Sequence, residues 1–456
     1  MNRHFDAIVI GAGQAGPPMV GRLAGAGQKV ALIERNLIGG TCVNTGCTPT
    51  KALVASAYAA HLARRGAEFG VKVGPVGVDF AAVMARKNEV VGNSRSHLTA
   101  WLEGMANCTV VHGHARFLSP TTVEVGTEVL EADRFFINVG CRAVAPDFPG
   151  RDQVWTLTNT TLLELDALPR RLVVVGGSYV GLEFAQVFRR LGAEVTVVEK
   201  APRLVPREDQ EVSDAIREIL EAEGIEIRLE SECIHFEPRG AEIAVGVNCA
   251  AGEPEVLGSH VLLAVGRRPN TDDLRLEAAG VKVDAQGYIV VDESLKTSVP
   301  HIWALGDCNG RGAFTHTSYN DFEIAAANLL DGAERKLGQR IPVYALYVDP
   351  PLGRVGLTEA EARAKGRAVR IGRRPMTRVG RAVEKGETLG FMKVVVDRDS
   401  DAILGAAILG VGGDEAIHGV IEAMAAGVTA SAYTRVVAIH PTVSELVPTT
   451  FGELSP

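Results

Sequence analysis

"RRLVVVGGSYVGLEFAQVFRRLGAEVTVVEK" (Arg170–Lys200) is the stretch whose reading decides the fold. An apolar β-branched run enters a glycine turn, a helix-like segment follows, and a second β-branched run ends in a glutamate. The same grammar opens the chain: "FDAIVIGAGQAG" (Phe5–Gly16), a helix-like stretch, then "QKVALIER" (Gln28–Arg35). The spacing agrees as well, because Gly11 precedes Glu34 by 23 residues and Gly176 precedes Glu199 by 23. In such a unit glycines make a tight turn and let backbone amides approach a pyrophosphate at a helix N-terminus. The acid ending the next strand accepts hydrogen bonds from a ribose. Gly11, Gly13, Gly16 and Glu34 are therefore candidate ligands of one dinucleotide, and Gly176, Gly177, Gly181 and Glu199 of a second. A βαβ unit without a ligand is the plain structural alternative for either copy alone. Two copies at equal spacing argue against it.

The copies differ in one respect. Ser178 stands where the middle glycine of the second turn is expected, and serine is still small enough for close phosphate approach. A carboxylate at position 199 pairs with a ribose 2′-hydroxyl and repels a 2′-phosphate, which favours NADH over NADPH. Lys200 and Arg203 lie close enough in sequence to soften that preference. Two sites in one chain imply two cofactors in electronic contact, and FAD with a nicotinamide is the obvious pair.

Bulk properties narrow the class. At 456 residues, with 46% apolar residues and 50 glycines, the chain is an ordinary globular α/β sequence of several domains. A net charge of −8 and no basic run interleaved with aromatics argue against nucleic acid as a partner. No apolar run approaches the roughly 20 residues of a membrane span, and the N-terminus reads as a strand rather than a secretion signal. Seven scattered cysteines do not make a secreted disulfide framework. A cytoplasmic protein is expected.

"GGTCVNTGCTPTK" (Gly39–Lys51) places Cys42 and Cys47 five positions apart, just before Pro49. A metal site, a structural staple and a redox pair are the readings to separate. Two cysteines cannot close a tetrahedral zinc site, and no second pair with matching spacing exists, so no metal is expected. Cys108, Cys141, Cys233, Cys249 and Cys308 are isolated and read as small buried hydrophobes. On a regular helix positions i and i+5 lie roughly 8.6 Å apart at Cα, whereas a disulfide tolerates about 6.8 Å. If the two cysteines are bonded, the backbone between them is not regular helix. Asn44 and Gly46 suit a distorted turn, and Pro49 suits an early helix position. A helix N-terminus also lowers the pKa of a thiol placed there. A strained, easily reduced bond fits turnover better than stapling.

With the cysteines added, the sequence resembles the class I pyridine nucleotide–disulfide oxidoreductases, which include lipoamide dehydrogenase, glutathione reductase and mercuric reductase. "GGTCVNTGCTPTK" is similar to the redox-disulfide motif, and "VGRRPN" (Val265–Asn270) to the loop beside the nicotinamide nucleotide. "IWALGDC" (Ile302–Cys308) is similar to the second flavin motif, and "HPTVSE" (His440–Glu445) to the C-terminal catalytic motif. The resemblance covers essentially the whole chain. It implies an α/β fold with two Rossmann-like dinucleotide-binding domains and a C-terminal α+β dimerisation domain. It places FAD on the first glycine turn, with further contacts from Gly40, Thr41, Lys51, Ala115 (in "GHARF"), Gly140 and Asp307. It places the nicotinamide nucleotide on the second turn, with Gly266 added.

The resemblance also implies roles. Cys47 is the thiol nearer the flavin and Cys42 the one that attacks substrate. Tyr179 covers the flavin until nicotinamide displaces it, and Glu183 is the salt-bridge partner of Lys51. His440 moves protons, with Glu445 fixing its tautomer. Because the family's histidine serves the other subunit's cysteines, a homodimer with shared active sites is implied. The expected layout is a FAD domain over 1–147 and 271–338, a nucleotide domain over 148–270, and an interface domain over 339–456. "PDFPG" (Pro146–Gly150) and "GQRIP" (Gly338–Pro342) mark crossovers, and "AILGAAILG" (Ala402–Gly410) suits a buried interface-domain strand.

The local wording around the cysteines is closest to mercuric-reductase-like chains. Two features of a true mercuric reductase are expected to be absent, namely an N-terminal metal-binding module and a C-terminal cysteine pair. Thr48 and Thr50 also differ from the residues usual in lipoamide dehydrogenases and glutathione reductases. The leading expectation is an NAD(P)H-dependent reductase of a small disulfide or related sulfur compound. A metal-ion or quinone reductase is the second reading. A dihydrolipoyl dehydrogenase-type subunit or redox sensor, working through a partner protein, is the third.

Overall fold

The computed structural model describes residues 3–248 and 253–455. Cys249 and the side chain of Cys233 lie outside that description. The chain divides into two compact units, one of residues 1–52, 84–144 and 265–340, the other of residues 53–83, 145–264 and 341–456.

The first unit is built on a five-stranded parallel sheet. Its order is Ile302–Ala304, Phe135–Ile137, Ala7–Ile10, Val30–Glu34, Cys108–His112. Every residue of Ala7–Ile10 and Val30–Glu34 is buried. That explains the unbroken apolar runs, since a parallel sheet is covered on both faces. Ala7 pairs with Val30 and Ile10 with Ile33, so the strands end level and the glycine turn emerges beside Glu34. The helix Gly16–Gly25 carries Pro17 and Pro18 in its first turn, where an amide hydrogen has no intrahelical partner. Met19, Val20 and Leu23 turn its apolar face into the core.

The second unit repeats the device. Glu226–Arg228, Glu194–Val198, Arg171–Val175 and His260–Leu263 form a four-stranded parallel sheet. The helix Tyr179–Leu191 buries Leu182, Phe184, Phe188 and Leu191, and Gly192 ends it with φ 123°. Truncating a side chain such as Phe188, which is wholly buried, costs about 3–5 kcal/mol. The same unit holds a five-stranded antiparallel sheet in the order Val343–Leu346, Leu352–Gly356, Ile403–Leu409, Phe391–Asp397, Val369–Pro375. Ile403–Leu409 lies inside the stretch read as a buried strand, and all but one of its residues are buried. Parallel α/β layers and a five-stranded antiparallel α+β layer are thus the fold class the sequence implied. Cys141 and Cys308 are buried as expected, whereas Cys108 is only half-buried.

Candidate active site

The two glycine turns share the same set of hydrogen bonds to strand and acid. Gly11 N donates to Ile33 O and Gly176 N to Val198 O, each at 2.8 Å. One glutamate oxygen accepts the next amide: Ala12 N to Glu34 Oε2 at 2.8 Å, Gly177 N to Glu199 Oε2 at 2.5 Å. The other oxygen accepts from two residues downstream, Asn36 N and Ala201 N, both at 2.7 Å. A Cβ at Gly16 would lie 2.2 Å from Gly11 O, and one at Gly181 would lie 2.0 Å from Gly176 O. Helix and strand therefore approach backbone to backbone, and no side chain fits between them. Each acid ties the turn that precedes it. A carboxylate offers about four acceptor positions, so each keeps capacity for ligand hydroxyls.

Asn138, which sequence reading passed over, pins the first turn. Its Oδ1 accepts from Gly16 N at 3.0 Å and its Nδ2 donates to Leu305 O at 2.8 Å. Asp307 is joined at 2.5 Å to Arg267, which follows Gly266. Arg267 also donates to Cys141 O at 2.8 Å. Gly140 and Gly266 both have positive φ, and a Cβ at either would meet nothing within 4 Å. That free space suits an approaching ligand. Ala115 is buried, and Gly113, two residues before it, donates its N–H to Glu34 O at 2.9 Å.

The cysteine segment packs on the first turn. Gly39 N donates to Ala12 O at 2.9 Å, and a Cβ at Gly40 would lie 2.8 Å from Gly13 Cα. A short helix, Gly40–Asn44, carries Thr41 and Cys42, and a longer one, Cys47–Arg64, begins at Cys47. The break at Thr45–Gly46 is the irregular backbone that bonding geometry demands. Asn44 holds it by donating to Ile38 O and Gly40 O, each at 3.0 Å. Gly46 folds so closely over Thr41 O that a Cβ would stand 2.9 Å away. Cys42 and Cys47 are not joined by a disulfide in the structure.

Cys47 Sγ lies 3.1 Å from Thr315 Oγ1, a contact the sequence did not announce. Thr315 opens the helix Thr315–Leu330, so the Cys47 sulfur faces a hydroxyl at a helix N-terminus. The hydrogen bond with Cys47, then burial, push the Cys42 thiol up. The Cys42 thiol therefore holds its proton more tightly than an ordinary cysteine. Lys51 sits one turn into the same helix.

In the second unit, Glu183 is buried on the helix Tyr179–Leu191 and accepts from Tyr347 N at 3.0 Å. Tyr179 starts that helix. His440 and Glu445 are brought together: Nδ1 lies 2.9 Å from Glu445 Oε2 and 3.2 Å from Oε1. The imidazole is 81% exposed, while the Glu445 side chain is 15% exposed. The largely covered acid holds Nδ1 of an exposed ring, so Nε2 is the nitrogen left for other partners. Val437 and Ile439, just before it, are 97% and 79% exposed.

Residues 5–321 match the family model described as pyridine nucleotide–disulphide oxidoreductase. The chain belongs to this family. Residues 343–451 match the family's dimerisation domain. A mercuric reductase of Streptomyces lividans is 36% identical over 94% of this chain and 92% of its own. A dihydrolipoyl dehydrogenase of Thermus scotoductus is 36% identical over 97% of this chain and 95% of its own. Among solved structures, the HOCl-induced flavoprotein disulfide reductase RclA of Escherichia coli superposes with a TM-score of 0.89 at 34% identity. It covers 98% of this chain and 99% of its own. Its Cu(II) complex matches with the same score and identity. The chain is thus a flavin- and pyridine nucleotide-dependent disulfide oxidoreductase. Among the described residues no helix is long and apolar enough to cross a membrane.

Proposed function

We propose that this enzyme is an NADH-dependent reductase of a small disulfide, acting in the cytoplasm as a homodimer. The net reaction is NADH + H⁺ + R–S–S–R → NAD⁺ + 2 R–SH. The observation that carries the reading is the placement of Cys42 and Cys47 across a helix break against the first glycine turn. FAD would be held by Gly11, Gly13, Gly16, Glu34, Gly40, Thr41, Lys51, Ala115, Gly140 and Asp307, and when bound supplies two-electron transfer from nicotinamide to the disulfide. Gly176, Gly177, Gly181, Glu183, Glu199 and Gly266 would form the nicotinamide nucleotide site, with Tyr179 as its movable cover.

In the reduced pair Cys47 holds the negative charge, supported by the Thr315 hydroxyl. His440 takes the Cys42 proton, and the Cys42 thiolate attacks one substrate sulfur to form a mixed disulfide. The leaving thiolate takes that proton from His440. Cys47 then attacks Cys42 and expels the second product thiolate, which takes a proton from solvent, and the internal bond re-forms. Glu445 holds Nδ1 so that Nε2 does this work. The family's dimerisation domain supports the dimer. The bare apolar run before His440 supports a cover from a second copy, with the histidine of each subunit serving the cysteine pair of the other.

Glu199 carries the preference for NADH, since its carboxylate would oppose a 2′-phosphate. Steady-state turnover with a panel of low-molecular-weight disulfides, using NADH and then NADPH, tests the reading. Turnover with no disulfide overturns it. A second reading, reduction of Cu(II) or Hg(II), is favoured by the copper complex of RclA and by the mercuric reductases among the relatives. It predicts metal-dependent NADH oxidation that survives loss of His440.

A further inference from the structure

We infer that Glu208 and Tyr344 form a latch that holds Tyr179, and that they are positioning residues for pyridine nucleotide binding. The inference rests on the proposed role of Tyr179 as cover of the nucleotide site. Tyr179 follows directly on the second glycine turn. Its hydroxyl donates to Glu208 Oε1 at 3.3 Å, and the Tyr344 hydroxyl donates to the same oxygen at 2.6 Å. The two rings meet edge to face, with centroids 5.7 Å apart and planes at 90°.

Glu208 is a poor surface acid and a good anchor. Its side chain is 0% exposed, and Arg354, itself 2% exposed, faces Oε2 at 3.3 Å. That ion pair lacks hydrogen-bond geometry, and Oε2 has no hydrogen-bond partner among the described residues. Arg354 spends its Nη1 on the carbonyls of Val355 and Ala406, at 2.7 and 2.8 Å. The side-chain hydrogen bonds to Glu208 therefore converge on Oε1, and both come from phenols.

The unequal bond lengths decide how the device works. The short bond from Tyr344 keeps Oε1 satisfied when the longer bond from Tyr179 is given up. A buried carboxylate oxygen left with no donor is costly, so Tyr179 is free to leave only because Tyr344 stays. Tyr344 thereby sets the ease with which nucleotide displaces Tyr179. No proton or electron is moved by the latch itself.

Two conservative variants move nucleotide affinity in opposite directions. In Tyr344→Phe the edge-to-face ring contact remains, but Tyr179 becomes the only phenol on Oε1. Its release then strands the oxygen, and the Kd for NAD⁺, measured by calorimetry on the FAD-loaded protein, rises about tenfold. In Tyr179→Phe the tether is gone, and Kd falls about threefold. KM for NADH follows Kd in both, while kcat changes less than KM. Thermal melting of both variants checks that the fold is kept. Opposite shifts support the latch. Shifts in the same direction, or none beyond twofold in either variant, overturn it. Tyr179→Ala separates the two levels: an unchanged Kd there overturns the cover role of Tyr179 itself, whereas a changed Kd with silent phenol variants overturns only the latch.

Discussion

Replacing Thr315 with valine removes one oxygen from the reducing centre and keeps the volume of the side chain. The hydroxyl stands 3.1 Å from Cys47 Sγ, and Cys47 is exposed. Exposure places the hydrogen bond at the modest end of the range for a charged partner, about 1.5 kcal/mol. Because 1.36 kcal/mol corresponds to one pH unit of titration, losing this donor moves the Cys47 thiol midpoint up by about one pH unit. The sign follows from what is lost, a donor that favours the thiolate over the thiol. The assay is the ultraviolet absorbance of the thiolate in a Cys42→Ser background, titrated against pH. The Cys42→Ser/Cys47→Ser protein is subtracted as the blank. With both cysteines present, disulfide turnover near neutral pH falls about tenfold. Thr315→Ser, which restores a hydroxyl, returns the midpoint to within a few tenths of a unit. A midpoint that stays put in Thr315→Val, or moves down, refutes the claim that Thr315 supports a charged Cys47.

Other perturbations have equally definite outcomes. Gly16→Ala forces a Cβ to 2.2 Å from Gly11 O and should release FAD on gel filtration, whereas Gly181→Ala, at 2.0 Å from Gly176 O, should leave FAD bound and weaken NADH. His440→Asn should lower disulfide turnover by about 10²–10⁴-fold, while quinone reduction with NADH persists; equal loss of both activities would count against the proton-transfer role. Glu199→Ala should cut the kcat/KM ratio for NADH over NADPH by about tenfold, from loss of a charge-assisted hydrogen bond and of repulsion toward a 2′-phosphate. Ser400, through its backbone amide and then its hydroxyl, holds the Asp397 carboxyl below its ordinary value. Its contribution to stability is therefore full above pH about 4 and fades as pH falls through the depressed value. The difference in melting temperature between the wild-type protein and Asp397→Asn should shrink from pH 7 to pH 2.

Local pattern made much of this molecule legible, and long-range contact hid the rest. Both dinucleotide units were readable because strand, turn, helix and acid lie within one short stretch, and the parallel sheet dictates apolar strands. Bonding geometry applied to Cys42 and Cys47 called for broken helix, and the break stands at Thr45–Gly46. His440 and Glu445 were readable because they lie five positions apart. Asn138, Thr315 and Arg267 escaped notice for the opposite reason. Asn138 reaches a turn 122 positions earlier, and Thr315 meets a cysteine 268 positions earlier. Nothing local marks either side chain as anything but polar. Arg267 lay inside the quoted "VGRRPN", yet its partner Asp307 is 40 positions away. Glu34 and Glu199 read in the sequence as acids that would meet a ribose. Their bonds to Ala12 and Gly177 became visible only once the turns were folded.

The electron path can be read from a single tryptic peptide, Asn36–Lys51, which contains both Cys42 and Cys47. The oxidised holoenzyme is denatured in acid, alkylated and weighed, first without NADH, then after anaerobic NADH, then after NADH followed by excess disulfide substrate. The account requires no label, then two labels, then none again. Two labels in all three samples, or an unlabelled peptide in an enzyme that is oxidising NADH with the disulfide, would show that sulfur exchange at these two residues is not how this protein works.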